Sequence, residues 1–282
     1  MTPLRLATRS SPQARTQAQG VADAITAATG RQTELVFVDT TGDRRQDVPL
    51  HTIGGQGVFV KEVQQAVLDG RADVAVHSAK DLPSVGHEAL VIAAFLARRD
   101  AADALIGRAL VDLAVGATVA SGSVRRRAQL AAVRPDLTFV ELRGNIATRL
   151  AKVPAAGSIV MAVAALQVLG TTELITERLD PTVFVPAVGQ GCVAVEARAG
   201  DAATADLLAA VDDPTTRHAV EVERSFLAEL GSGCSLPVGA HVAGGTLHTF
   251  LAAADGAAVA RETAVLTLDP TDHDAARTAA RA

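Results

Sequence analysis

The chain contains no tryptophan, no tyrosine and only two cysteines, and no apolar run approaches the ~20 residues that a membrane-spanning helix needs. Without Trp and Tyr, stacking on nucleobases is poorly supplied, and 26 basic against 31 acidic residues give a net charge of −5. These properties argue against a nucleic-acid partner and against a membrane partner. Two cysteines cannot form a disulfide framework, so we expect a reducing, cytoplasmic location.

Three other signals are missing. The first ten residues, MTPLRLATRS, lack the continuous apolar segment and small-residue cleavage site of a signal peptide. The seven histidines form no HExxH motif and do not combine with paired cysteines, so we expect no metal site. Nothing in the sequence marks a subunit interface, and we therefore expect a monomer.

The sequence is 49% apolar, and short apolar segments alternate with helical ones over its first two thirds. This alternation is typical of parallel βαβ units, whereas the last third suggests antiparallel strands with Asp255–Gly256 as a hairpin turn. We predict two α/β lobes and a smaller α+β domain. The predicted strands are Leu4–Ala7, Glu34–Asp39, Asp73–Val76, Val91–Leu96, Ala117–Ala120, Leu137–Leu142, Ser158–Val163, Val183–Val185, Cys192–Ala197, Val238–Val242, Thr246–Ala253 and Ala257–Leu266. The predicted helices are Pro12–Ala28, Val58–Leu68, Val124–Val133, Ile146–Lys152, Ala164–Leu169, Thr215–Leu230 and Asp272–Ala282.

Four loops that follow predicted strands carry cations together with hydroxyl or amide groups. They are Thr8–Pro12, His77–Pro83, Ser121–Arg127 and Arg143–Arg149. In open α/β sheets, ligands bind beyond the carboxyl ends of strands, and arginine pairs well with carboxylates and phosphates. A single such loop is more often only a helix cap, and Arg125–Arg127 alone is more often a solvated face. Four loops together favour a shared anion-binding cleft.

The class of anion follows from the motifs that are absent. There is no GxxxxGK[ST] and no strand-linked GxGxxG, so a nucleotide phosphate is not indicated, and scattered arginines suit several separated carboxylates. We interpret the glycine-rich segment Gly54–Gly57 as a flexible loop or a mobile lid. Asp81 is an acid among these cations, and it either handles protons or stabilises a developing cation, or forms a simple surface pair with Lys80.

The two cysteines differ in their surroundings. Cys192 lies in a strand-like apolar run and is interpreted as an inert, packed thiol. Cys234 lies between glycines and a proline just past a helix end, where an accessible thiol is a candidate nucleophile or attachment point. Chance exposure of that thiol is the equally weighted alternative.

Several segments resemble the porphobilinogen deaminase, or hydroxymethylbilane synthase, family of tetrapyrrole biosynthesis, collinearly from Leu4 to about Ala243. The most specific motifs are HSxKDLP, at residues 77–83, and LRGNxxTRL, at residues 142–150. The others are ATRxSP at 7–12, GGxGVF at 54–59, SVRR at 123–126, PAxGQG at 186–191 and GCSxPVGA at 233–240.

The resemblance implies two α/β domains like those of periplasmic binding proteins plus a small C-terminal α+β domain. It implies the boundaries 1–97 plus 191–211, 98–190, and 212–282 for these three domains. It also implies a dipyrromethane cofactor joined to Cys234 and a transferase that condenses four porphobilinogen molecules on this primer, with loss of ammonia at each step. Hydrolysis then releases hydroxymethylbilane.

The resemblance also assigns roles to individual residues. Asp81 matches the family's catalytic aspartate, which stabilises the cationic azafulvene that remains when ammonia departs. The implied cofactor-binding residues are Cys234, Asp43, Lys80, Ser123, Arg125, Arg126 and Gly144. The implied substrate-binding residues are Arg9, Ser11, Arg143, Asn145, Arg149 and Gln190.

The chain departs from the family pattern at several positions. Thr41 replaces an arginine, Thr52 and Gln56 replace lysines, and Ser121-Gly122 replaces a threonine–serine pair. Val168 replaces an arginine expected to bind a carboxylate, and losing such a contact costs about 1.5–3 kcal/mol. Two alternatives therefore stay open: a divergent or inactive paralogue, and a two-lobed polycarboxylate-binding module.

Overall fold

The computed structural model describes residues 2–44, 57–231, 236–253 and 258–282. In chain order, its strands and α-helices are β1 (Leu4–Arg9), α1 (Pro12–Thr29), β2 (Thr33–Val38), α2 (Thr41–Arg44), α3 (Lys61–Leu68), β3 (Val74–Ser78), β4 (Leu90–Phe95), β5 (Asp103–Gly107), β6 (Thr118–Ala120), α4 (Val124–Val133), β7 (Thr138–Val140), α5 (Ile146–Leu150), β8 (Ser158–Ala162), α6 (Val163–Leu169), β9 (Glu177–Arg178), β10 (Val193–Arg198), α7 (Ala202–Ala209), α8 (Pro214–Glu229), β11 (Val238–Ala243), β12 (Thr246–Ala252), β13 (Val259–Ala260), β14 (Thr263–Val265) and α9 (Asp272–Arg281).

These residues form two compact units. The first unit comprises residues 2–44, 57–99 and 192–218, and the second comprises 100–191, 219–231, 236–253 and 258–282. Because the C-terminal strands belong to the second unit, the three-domain boundaries stay a prediction. No helix among the described residues is long and apolar enough to cross a membrane.

The first unit is built on a five-stranded sheet of order β2-β1-β3-β10-β4. Strands β2, β1 and β3 are mutually parallel, and β10 is antiparallel to both of its neighbours. The central strands carry apolar side chains on both faces, as expected where helices cover a sheet on both sides. Helix α1 begins with Pro12 after the Ser11 cap and ends at Gly30, which has a φ of 69°.

The second unit repeats this pattern with a sheet of order β7-β6-β8-β5-β9. Strands β7, β6 and β8 are parallel, and β5 is the antiparallel strand in the fourth position. The matching order and direction define two α/β sheets of the periplasmic-binding-protein type, as the fold prediction required. The parallel strands of each sheet bring their carboxyl ends to one edge.

A smaller antiparallel sheet of β11, β12, β13 and β14 completes the second unit. Helices α8 and α9 cover it through a core that includes Phe226, Leu247 and Ala276. Phe250 and Ala252 also pack against Ala128 of helix α4 and against Val185. The prediction of a small C-terminal α+β element is thus confirmed.

Some predicted elements are wrong in detail. Residues 183–185 form no strand, because Asp180 accepts backbone hydrogen bonds from Val183 and Phe184 and closes a turn. The strand predicted from Ala257 to Leu266 is two short strands, β13 and β14, within the described residues. Strand β5 and helix α7 were not predicted. The hairpin turn at Asp255–Gly256 lies outside the described residues.

Candidate active site

At the carboxyl edge of the first sheet, Arg9 and Asp81 approach each other. Arg9 ends β1, and Asp81 lies in a single 3₁₀ turn, Ala79–Asp81, that follows the neighbouring strand β3. Arg9 Nη1 is 3.9 Å from Asp81 Oδ2, and both side chains keep about a quarter of their surface exposed, at 22% and 28%. The separation exceeds a hydrogen bond, so the two groups form a loose ion pair that solvent reaches.

The guanidinium of Arg9 is also held by an aromatic ring. Its Cζ atom lies 4.0 Å from the centroid of the Phe59 ring, which is cation–π geometry. Ser11 caps helix α1 by accepting a hydrogen bond from the backbone N–H of Ala14. Lys80 is half-buried in the same turn as Asp81. The first sheet thus brings together four of the predicted residues, Arg9, Ser11, Lys80 and Asp81, on adjacent strand ends.

The turn that carries Lys80 and Asp81 is anchored to the middle of the sheet. The backbone N–H of Ala79 donates to the carbonyl of Cys192, which immediately precedes β10. In β3, the buried His77 has its Nε2 atom 3.0 Å from Glu196 Oε2. The angle at this nitrogen is not that of a hydrogen bond. The Gln64 amide donates to both oxygens of Glu196, at 3.1 and 2.9 Å. These contacts fix the end of β3.

At the carboxyl edge of the second sheet, two neighbouring loops each begin a helix with a side-chain cap. Ser123 Oγ accepts from the N–H of Arg126 at 3.4 Å, and Asn145 Oδ1 accepts from the N–H of Thr148 at 3.0 Å. Arg149 Nε donates to the carbonyl of Gly144 at 2.7 Å. Arg143 and Arg149 are both partly exposed. The Ser123 hydroxyl and the Asn145 amide oxygen therefore act as helix caps, as the simpler interpretation expected.

Gly144 is required by its conformation. It has a φ of 115°, and a Cβ at this position would lie 2.7 Å from Thr148 Cγ2. Gly122, one of the departures from the family pattern, is also tightly placed, because a Cβ there would lie 2.8 Å from the Leu142 carbonyl oxygen. Both loops therefore pass close to their own helix or to each other, which leaves little room for larger residues.

Arg125 and Arg126 are buried, so the interpretation of this run as a solvated face is wrong for these two residues. They share one fully buried carboxylate, Asp103 at the start of β5. Arg125 Nη2 donates to Asp103 Oδ2 at 2.8 Å, while Arg126 donates to Oδ1 from Nε at 3.0 Å and Nη2 at 2.7 Å. The next residue, Arg127, is partly exposed and pairs with Glu141 at 2.6 Å.

The charges of this cluster are strongly coupled. Burial alone would raise the pKa of Asp103, but the two adjacent guanidiniums outweigh it and hold that pKa well below the usual range. Burial lowers the pKa of Arg125, and Asp103 opposes this effect. Asp103 is therefore ionised throughout the neutral pH range.

Gln190 belongs to the same cluster. Its amide nitrogen donates to the carbonyl of Ala101 at 2.7 Å and to Asp103 Oδ1 at 2.9 Å. The residue is 1% exposed. Its assignment to substrate binding stays a prediction. Sequence reasoning missed Asp103, and the only available signal was an acid directly before the apolar segment Ala104–Ile106.

One predicted cofactor residue, Cys234, cannot be placed because it lies outside the described residues. Residues 54–56 of the glycine-rich segment and Thr52 also lie outside them. Asp43 belongs to helix α2, whose Thr41 contributes its N–H and hydroxyl to Glu62 Oε1 at 2.8 and 2.6 Å. Cys192 is a buried thiol, as interpreted, and its Sγ donates to the carbonyl of Leu96. Val168 is half-buried on α6. Among the described residues, no group of His, Cys, Asp or Glu is arranged to hold a metal ion.

Two sheets of one topology, each with cations and helix-capping side chains at adjacent strand ends, define an α/β protein with two similar sheet units. Family models match nearly the whole chain. The model described as "Porphobilinogen deaminase, dipyromethane cofactor binding domain" covers residues 4–206, and "Porphobilinogen deaminase, C-terminal domain" covers 218–275. The chain belongs to the porphobilinogen deaminase family.

Curated relatives agree with this assignment. The porphobilinogen deaminase of Acidothermus cellulolyticus is 49% identical, over 84% of this chain and 74% of the relative. That of Roseiflexus castenholzii is 47% identical over 84% and 80%, and that of Micrococcus luteus is 43% identical over 97% and 84%. Among solved structures, the methionine binding protein MetQ aligns with a TM-score of 0.44 and 12% identity over 80% of this chain and 93% of that one, a likeness too weak to bear on function.

Proposed function

We propose that this chain is a hydroxymethylbilane synthase, a transferase that acts on porphobilinogen and carries a dipyrromethane cofactor on Cys234. Each addition breaks the C–N bond of a porphobilinogen aminomethyl group and forms a C–C bond to the free pyrrole α-carbon of the growing chain. That carbon loses its proton, and the proton balances the ammonia that is released. After four additions, hydrolysis releases the linear tetrapyrrole hydroxymethylbilane. The substrate is a small molecule, and we propose a cytoplasmic monomer that binds neither nucleic acid nor membrane.

The observation that carries the proposal is the approach of Asp81 to Arg9 at the carboxyl edge of the first sheet, within the part of the chain that the cofactor-domain model matches. A porphobilinogen ring carries carboxylates and a pyrrole N–H, and it becomes cationic when ammonia leaves. Arg9 offers a fork of donors for a carboxylate, while Asp81 offers an acceptor for the N–H and a counter-charge for the cation. The pair thus offers one contact for a substrate carboxylate and another for the pyrrole that becomes cationic.

The donor set of the second unit fits a polycarboxylate cofactor. Arg143 precedes α5 and Arg149 lies in its last turn, and both cations are partly exposed, while Asn145 caps the first turn of that helix. Ser123 similarly caps the first turn of α4, and helix N-termini favour anionic groups. We assign Ser123, Arg125, Arg126 and Gly144, with Lys80 and Asp43, to hold the dipyrromethane. We assign Arg143, Asn145 and Arg149 to bind the incoming porphobilinogen. When bound, that group supplies the free pyrrole α-carbon to which new units are joined.

Intact mass spectrometry tests this proposal directly. The purified chain incubated with porphobilinogen is expected to exceed its polypeptide mass by one dipyrromethane and to give a colour with Ehrlich's reagent. The variant Cys234→Ala is expected to keep the polypeptide mass and to form no hydroxymethylbilane.

The chain offers a matched control in its second cysteine. Because Cys192 is a buried thiol beside β10, Cys192→Ala is expected to acquire the dipyrromethane as the unaltered chain does. An unmodified chain after incubation would refute the synthase and favour a polycarboxylate-binding module. Loading of Cys234→Ala would refute the attachment point alone.

A further inference from the structure

Asp103 lies at the centre of a buried network in the second unit. Its Oδ1 accepts hydrogen bonds from Arg126 and Gln190, and its Oδ2 accepts one from Arg125. Its own backbone is fixed as well, because β5 pairs with β8 on one side and with β9 on the other. The carboxylate is therefore a rigid point from which the two guanidiniums are held.

Backbone carbonyls complete the orientation of both arginines. Arg125 Nη1 donates to the carbonyl of Val185 at 2.7 Å, and Arg126 Nη1 donates to the carbonyl of Val160 at 3.1 Å. Gln129 Nε2 donates to the Val185 carbonyl at 2.9 Å, and the Val185 N–H donates to Gln129 Oε1 at 2.7 Å. Each planar guanidinium is therefore bound both to the carboxylate of Asp103 and to a backbone carbonyl, so it has little freedom to rotate.

Among the residues that the structure describes, the charges of the cluster do not balance. Arg125 and Arg126 carry two positive charges against the one negative charge of Asp103, and all three side chains are at most 10% exposed. A buried charge without a counter-ion is costly, and an anionic group that approaches the pair lowers that cost. A second carboxylate from a ligand would give a neutral cluster.

We propose that Asp103 is a positioning residue. It holds Arg125 and Arg126 in one orientation and, by neutralising only one of them, leaves the pair with a single positive charge for one carboxylate of the pyrrole cofactor. Gln190 supports this arrangement by orienting the carboxylate of Asp103. The inference rests on the proposed function, and it adds a residue that itself touches neither cofactor nor substrate.

The experiment compares two substitutions that remove the same charge. Asp103→Asn keeps the size of the side chain, whereas Asp103→Ala leaves a space that formate, a small carboxylate, can fill. Both variants and the unaltered chain are incubated with porphobilinogen, with and without sodium formate at constant ionic strength. The rate of mass gain measures cofactor loading, and the midpoint of thermal unfolding before loading measures the integrity of the cluster.

We expect both variants to load about tenfold more slowly or worse, the loss expected for misaligned hydrogen bonds to a charged group. Formate is expected to raise the unfolding midpoint and the loading rate of Asp103→Ala, but to change neither in Asp103→Asn, whose amide occupies the space. The control is Asp100→Ala, which removes a partly exposed acid of the same segment that pairs with Arg178. This variant is expected to load at the unaltered rate, and formate is expected to change neither its loading rate nor its unfolding midpoint.

Loading of Asp103→Asn at the unaltered rate would overturn the proposal, and so would a folded Asp103→Ala that formate does not rescue. If Asp103→Ala does not fold in either condition, the loading rate of Asp103→Asn decides. A lack of loading in the unaltered chain would overturn the proposed function itself. Native loading with an unaffected Asp103→Asn variant would overturn only the role of Asp103.

Discussion

The two sheets share one strand pattern, yet they hold their cations in opposite ways. In the first unit, Arg9 is partly exposed, rests on the Phe59 ring and stays 3.9 Å from Asp81. In the second unit, Arg125 and Arg126 are buried and bind Asp103 directly. The same topology can therefore support either an adjustable pair or a rigid platform. Under the proposed function, we assign the adjustable pair to the incoming porphobilinogen units and the rigid platform to the permanently attached group.

The largest effect is expected at the adjustable pair. Asp81→Ala should lower the rate of hydroxymethylbilane formation by about 10²–10⁴-fold, because the acceptor for the pyrrole N–H and the counter-charge are both lost. Its unfolding midpoint should stay close to that of the unaltered chain, since the side chain is partly exposed. Rate assays and thermal unfolding check the two halves of this expectation.

The control for Asp81 is Asp69→Ala, an exposed acid of the same unit that pairs with Arg71. It should change neither the rate nor the unfolding midpoint. Turnover of Asp81→Ala at the unaltered rate would contradict the role given to this carboxylate.

Substitutions in the rigid platform should be detected first as a loss of unfolding free energy, before a loss of the rate of product formation. Arg126→Met removes three donated hydrogen bonds and leaves Asp103 with one cation, which is expected to cost about 3–5 kcal/mol of unfolding free energy. The neighbouring variant Arg127→Met breaks a partly exposed pair with Glu141 and a hydrogen bond to the Ser121 carbonyl, and it should cost about 1 kcal/mol. Urea denaturation measures both, and equal costs would show that the two arginines are not differently held.

A smaller effect is expected from replacing the planar cation of the first unit. Arg9→Lys keeps the charge but loses the stacked guanidinium, so KM for porphobilinogen should rise by about 2–30-fold. The matched control is Arg15→Lys. The Cζ atom of Arg15 lies 4.2 Å from the centroid of the Phe37 ring, and Arg15 is not one of the predicted site residues. Steady-state kinetics distinguishes the variants. A rise of the same size in both would attribute the effect to loss of stacking in general.

The smallest effect at neutral pH is acid sensitivity. Because the folded-state pKa of Asp103 is depressed below its ordinary value of 3.8, its stabilising contribution is present above that value and is lost as the pH falls further toward the folded pKa. The difference in urea midpoint between the unaltered chain and Asp103→Asn should therefore stay constant above about pH 5 and shrink below 3.8. A difference that does not depend on pH would contradict an ionised Asp103.

Much of the first unit could be predicted because its signals are local. Pro12 and Gly30 mark the two ends of α1, and the apolar segments of β1 and β3 lie directly before the loops that carry Arg9 and Asp81. The motifs in those loops indicated a family, which the family models confirm. Charge and hydrogen-bonding groups within a few residues of each other were sufficient for these predictions.

The rest could not be predicted because it depends on contacts between distant residues. Asp103 receives hydrogen bonds from residues 22, 23 and 87 positions away, so nothing in its neighbourhood distinguishes it from a surface acid. The segment Val183–Val185 has strand-like composition, but its last residue pairs with the side chain of Gln129 instead of with a strand. Tertiary contacts overruled local propensity in both cases.

The placement of β10 has a consequence for the order in which the chain folds. This strand lies between β3 and β4, so the first sheet cannot be completed until residues 193–198 have been synthesised. The second sheet uses strands from Asp103 to Arg178 only, and all of them leave the ribosome earlier. Because distant pairings are slow and late to form, the five-stranded sheet whose strands begin the polypeptide is the one that is completed second.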